Sequence, residues 1–256
     1  MSEFAPVPVY DILIPMGKPV KQDEFKPNNF WLATFLIILA NIAVFVYFGE
    51  YSKFKGAVDA YVLTPANLFK EHRIYTIITS GFIHKDVKHL FFNCLGIFIF
   101  GGIVERRFGF FKTIFIYIGA LVLSMAISMF IYLYYLHKGV ALIGASGAVM
   151  GMISAAMLSE PFLITYETLL PIPVMIKGWM FIYADVLGFL GGEKDGISHL
   201  AHMIGFLSIG VIIYFLDKKD RRVFLHGLII NLASFGLFLY FRKYIESTDI
   251  FKVFSR

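Results

Sequence analysis

The chain has 256 residues, of which 58% are hydrophobic and 16% charged, and its net charge is +5. Soluble domains average roughly 45–50% apolar and about 25% charged, so an ordinary soluble core is excluded and lipid is the expected solvent for most of the chain. The basic residues fall mainly in short connections between apolar runs, a pattern of membrane orientation rather than of nucleic-acid binding.

Residues 1–28 carry acids and several prolines and read as a polar, largely irregular leader. They lack the basic n-region and long apolar h-region of a cleaved signal peptide. Seven apolar runs follow, near 29–48, 88–104, 110–135, 141–159, 173–190, 198–216 and 223–241. A span needs about 20 residues, and backbone groups in lipid must be satisfied within the segment, so the runs are expected to be helices. No short-period alternation suggests a barrel. The expected fold is all-α: a polytopic membrane helical bundle with a six-span core over 29–216, then a seventh span and short tail over 217–256.

The connection 49–87 contains "YVLTPANLFKEHRIYTIITSGFIH", which is half apolar and broken at Pro65. It is expected to be partly inserted or to lie on the protein at the interface. In 159–174, Pro161, Pro171 and Pro173 exclude one continuous helix. The connection between the second and third runs carries Arg106, Arg107 and Lys112, and that between the sixth and seventh carries Lys218, Lys219, Arg221 and Arg222. Lys138 and Lys194 are the basic residues of the third-to-fourth and fifth-to-sixth connections. Positive-inside bias then puts the N-terminus in the cytoplasm and the C-terminus outside. On this topology Ser146 lies about a turn into the fourth span from its outer end.

Polar residues inside spans are functional candidates. His89 and Asn93 share one face of the second span at i, i+4 spacing. Ser146 sits in the small-residue cluster "GASG", and His199 and His202 stand three apart at the start of the sixth span. Singly, these read as interhelical hydrogen bonding or close helix contact. Together they place a hydroxyl, a base and oxyanion donors at one depth, the parts of an acyl-transfer site. Asp185 and Glu193 are candidates for a third, acidic member, but nothing in the sequence ties either to His202, and a Ser–His dyad is the economical reading. His199 reads as a packing residue, or as water-facing at the rim.

Other chemistries fit less well. H-E-x-x-H is absent, and a cluster of His89, His199 and His202 lacks a carboxylate or cysteine at ligand spacing, so no metal and no cofactor are expected. An aspartyl site would need two mid-span aspartates, and Asp185 stands alone. The single cysteine, Cys94, reads as a small buried hydrophobe.

Four patches carry a family resemblance: "HRIYTIITSGFIH" (72–84), "HLFFNCLGIFIFGGIVERRFG" (89–109), "GASGAVMG" (144–151) and "HLAHMIGFLSIG" (199–210). In this order they resemble the rhomboid intramembrane serine proteases. The resemblance implies Ser146 as nucleophile and His202 as general base. It implies an oxyanion hole from His89, Asn93 and the Ser146 backbone N–H. Gly144 matches the motif position beside the nucleophile, Glu105 the glutamate closing span two, and Arg73 the arginine of the first external loop. Phe92 would face the fifth span, where substrate enters. The implied activity is cleavage of transmembrane segments near their outer end, without cofactor or metal; the implied partners are membrane proteins and the bilayer. The chain departs from the family at three places. His72 replaces the loop tryptophan, Met150 stands where an aromatic supports the catalytic ring, and Ile209 replaces the second glycine after Gly205, with Gly210 one later. The rival reading is a catalytically silent relative that binds membrane clients; a small transporter fits less well, because no inverted repeat is visible.

Overall fold

The computed structural model describes residues 31–165, 171–193 and 196–247. The leader 1–28 and Lys194 lie outside the described residues. Each of the seven apolar runs forms a helix: α1 (Leu32–Phe48), α2 (Val87–Phe108), α3 (Phe110–Tyr134), α4 (Ser146–Ser159), α5 (Val174–Leu190), α6 (His199–Phe215) and α7 (Lys218–Ser247). By length and composition, four stretches can cross a membrane: Leu32–Phe54, Val87–Phe108, Phe110–Tyr134 and Lys218–Phe241. α4 and α6 are shorter apolar helices. The protein is therefore an integral, multi-pass helical membrane protein.

Local chemistry sets the ends of these helices. Glu105 receives the N-terminus of α1: its carboxylate accepts from Ala33 N, Thr34 N and Thr34 Oγ1, each at 2.8 Å. Those amides have no partner within their own helix, so a distant acceptor substitutes for a local cap. Gly49, at φ +76°, ends α1, and Gly109, at φ +80°, separates α2 from α3. Asp86 caps α2 by accepting from His89 N at 2.8 Å, and Ser198 caps α6 by accepting from Ala201 N at 3.3 Å.

α4 begins at Ser146, five residues later than the apolar run suggests. Gly144 sits at φ +102°, which no helix continues through. Ser146 is therefore the first residue of its helix, not a turn inside it. From Gly147 to Ser159 every residue of α4 is buried, as befits a helix apolar on all sides. α2, α3, α5, α6 and α7 pack around it. The approach of α6 is backbone to backbone: a Cβ on Gly205 would lie 2.7 Å from Gly147 C and 2.9 Å from its Cα. Gly151 continues the seam, 3.2 Å from Gly205 O by the same measure. Gly210 meets open space while Ile209 is buried, so the sixth helix packs through Gly205 and does not need a second glycine.

The connection 49–87 folds into short helical segments laid on the bundle, with Val58, Val62 and Ile83 buried. Asn67 organises it. Its Nδ2 donates to Asp59 O at 2.6 Å and Val62 O at 2.7 Å, and Arg73 Nη1 donates to its Oδ1 at 3.0 Å. The loop's arginine anchor is thus present with His72 beside it at φ +53°. In the proline-rich 159–174 stretch α4 ends at Ser159, β1 (Ile164–Thr165) pairs antiparallel with β2 (Ile172–Pro173), and α5 starts at Val174. At this end of the bundle, Lys112 reaches Asp217 at 2.7 Å and also Asp220, and Arg107 lies 3.5 Å from Glu160. Ser146 and its neighbours lie at the opposite end.

Candidate active site

Ser146 heads a buried helix. The first backbone bond of α4 runs from Val149 N to Ala145 O at 3.0 Å. The amides of Ser146, Gly147 and Ala148 therefore have no acceptor within the helix, and they concentrate partial positive charge at its N-terminus. That end suits a developing anion.

The turn before Ser146 is pressed against α2. A Cβ on Gly144 would lie 2.7 Å from His89 Nε2 and 3.6 Å from Asn93 Nδ2, and closer still to His89 Cε1. Both side chains thus converge on the backbone two residues from the hydroxyl. His89 Nδ1 accepts from Lys85 N at 3.4 Å, which leaves the proton on Nε2, the nitrogen facing Gly144. Asn93 Nδ2 is buried and, among the described residues, has no hydrogen-bond partner. A buried amide donor without an acceptor is costly unless something transient fills the position. Ser80 O completes the frame by accepting from Gly144 N at 2.9 Å.

His84 joins this group, and the sequence reading gave it no role. It is buried, its ring centroid lies 5.1 Å from that of His89, and its Nδ1–H donates to Phe82 O at 3.1 Å. Burial, reinforced by the neighbouring His89, depresses its pKa from the usual range to about 4.

His202 occupies the first turn of α6, beside the Gly147–Gly205 contact. Among the described residues no hydrogen bond joins Ser146 Oγ to His202, and such contacts often tighten only with substrate. What holds the ring is Asp185, on α5. His202 Nδ1 lies 2.8 Å from Asp185 Oδ1, and His199 Nδ1 lies 2.7 Å from the same oxygen. Spacing along the chain does not link Asp185 to His202; the packing of α5 on α6 supplies the contact. His199 is buried rather than water-facing. Its ring packs against Gly188 through its Nε2 edge, where a Cβ would come within 2.5 Å of His199 Cδ2. Glu193 has other work: it accepts from Tyr132 OH at 2.5 Å and from Leu200 N at 3.1 Å.

Asp185, His199 and His202 could together hold a metal ion, so a carboxylate does reach the histidines, contrary to the spacing argument. The distances favour hydrogen bonding. Ligand atoms about 2.0–2.1 Å from a tetrahedral zinc stand about 3.3 Å apart, whereas these pairs stand 2.7 and 2.8 Å apart.

Met150 and Gly205 are buried near this group, and Glu105 acts at the far end of α2 through α1. Phe92 is 56% exposed, with its ring 5.5 Å from that of Phe91. Among the described residues, Phe100 and Phe181 make a ring contact between α2 and α5, about 12 Å further along the helix at 1.5 Å per residue. Cys94 is half-buried, less enclosed than its surroundings in sequence suggest.

A family model described as the Rhomboid domain matches residues 71–219. The chain is similar to RHOMBOID-like protein 12, mitochondrial, of Arabidopsis thaliana, at 26% identity over 202 residues, covering 72% of this chain and 58% of that protein. It is similar to Rhomboid protease GlpG of Haemophilus influenzae, at 26% over 192 residues, covering 73% and 92%. It is similar to Rhomboid protease AarA of Providencia stuartii, at 30% over 217 residues, covering 74% and 75%.

Proposed function

The chain belongs to the rhomboid family, and from that premise we propose that it is an intramembrane serine endopeptidase cleaving transmembrane segments of other membrane proteins near their outer end. One observation carries this reading: the donors His89 Nε2 and Asn93 Nδ2 converge on the turn that delivers Ser146 to the start of α4.

Ser146 Oγ attacks the scissile carbonyl, and His202 Nε2 takes its proton. The carbonyl oxygen, now an anion, is held by the Ser146 amide, Asn93 Nδ2 and His89 Nε2–H. His202 then gives its proton to the leaving amide nitrogen, and water hydrolyses the acyl-enzyme by the same route in reverse. No step needs a cofactor or metal. Gly144 and Gly205 serve by letting the two walls approach; Met150, Glu105 and Arg73 support them. Phe92, exposed on the outer half of α2, guards the side where the α2–α5 ring contact has not yet begun, and a substrate helix enters there. The working unit is a six-span core over 29–216 with an added seventh span, the N-terminus cytoplasmic and the site opening outward.

The test is cleavage in proteoliposomes of a reporter carrying one transmembrane segment, with the products read by mass. Wild type should cut within or next to the segment, and Ser146→Ala should not. Failure to cut any of a panel of helix-destabilised segments, with a rhomboid of known activity cutting alongside, would contradict the reading.

A further inference from the structure

We propose that Asp185 is a positioning residue for His202, holding the base of the Ser146–His202 pair in its reactive tautomer and orientation. This rests on the roles given above to Ser146 and His202.

The first ground is the tautomer. An ionised carboxylate only accepts, so an imidazole nitrogen 2.8 Å from Asp185 Oδ1 must bring the proton. With the proton on Nδ1, His202 Nε2 carries the lone pair, which is the form that can take the proton of Ser146. Left to itself, a neutral imidazole divides its proton between the two nitrogens. As Ser146 Oγ–H transfers its proton to Nε2, the ring becomes an imidazolium whose Nδ1–H stays on Asp185. The carboxylate remains ionised throughout, and the proton passes on to the leaving nitrogen.

The second ground is the seat built for this carboxylate. Asp185 is 6% exposed within a 17-residue apolar helix, where an acid is expensive and calls for a partner. It has two, because His199 Nδ1 grips the same oxygen at 2.7 Å. His199 reaches it by packing against Gly188, one turn beyond Asp185 on the same face of α5. His199 thus fixes Asp185, and Asp185 fixes His202. Among the described residues, His89 from α2 also lies near enough to interact electrostatically with His202.

The experiment uses the full-length protein in detergent micelles. Asp185→Asn keeps the shape and a hydrogen-bonding oxygen but loses the charge. It should lower kcat on the transmembrane reporter, and the rate of fluorophosphonate labelling of Ser146, by about 10²–10⁴-fold with KM within about 3-fold of wild type. Asp185→Glu should recover part of the loss. Independently, nitrogen-15 NMR of histidine-labelled wild type near neutral pH should find the His202 proton on Nδ1. A folded Asp185→Asn protein with kcat within about 3-fold of wild type, or with only KM changed, would overturn the proposal. So would a wild-type His202 protonated on Nε2. The NMR result decides the matter even where Asp185→Asn does not fold. Wild type that fails to label at Ser146 would count against the protease reading instead, a separate result from the tautomer.

Discussion

Gly144 is under two constraints at once, a φ of +102° and the His89 ring against its Cα. Gly144→Ala should cost about 1–2 kcal/mol from backbone strain alone. It should also push His89 off its position, so labelling of Ser146 slows even in protein that stays folded; a thermal melt and a labelling time course on the same sample check both. His84 supplies a pH dependence. Its pKa is about 4 when folded and about 6.5 in an unfolded chain, so the unfolded state takes up the proton first as pH falls. The stability tied to neutral His84 is fully present above about pH 6.5, drains away as pH falls toward 4 and then levels, a total of about 3 kcal/mol. Melts at pH 7, 5.5 and 4 should show that decline in wild type and a flatter one in His84→Asn. At this scale the sequence spoke clearly where spacing along one helix was enough, as for His89 with Asn93 and for Ser146 between its glycines. It was silent on Asp185 with His202, because their contact depends on how α5 leans on α6.

The helices were legible as apolar runs, since lipid forces backbone satisfaction within each one. Their starts were less so. Hydrophobicity does not report a positive φ, and the run from 141 hid the break at Gly144 that puts Ser146 at a helix terminus. Two contacts between elements should govern stability. Glu105→Ala strips the acceptors from Ala33 N and Thr34 N and should cost about 1–2 kcal/mol, lowering the melting temperature while the folded fraction still labels at Ser146. Gly205→Val drives a side chain into the Gly147 backbone. It should cost about 2 kcal/mol or more and abolish labelling as well, because the same contact sets Ser146 beside His202.

Across the whole molecule, chemistry is divided by end. The polar cluster of Ser146, His89, Asn93, His202 and Asp185 lies at one, while Arg107, Lys112, Glu160, Asp217 and Asp220 pair at the other. Between them the outer surface is apolar, with Leu39, Phe98 and Leu232 exposed midway along their helices, a face suited to lipid and not to water. The composition alone announced this solvent. If the paired basic end is cytoplasmic, a cysteine at position 139 should react with an impermeant maleimide from outside intact cells, and one at position 219 only after permeabilisation, in a Cys94→Ser background. The central claim is that Ser146 is an activated nucleophile, and intact mass after treatment with a fluorophosphonate tests it most directly. One adduct on the wild-type protein, lost in both Ser146→Ala and His202→Ala, is the expected result. No adduct on folded wild type, with a rhomboid of known activity labelled in parallel, would contradict it and leave a protein that holds membrane clients without cutting them.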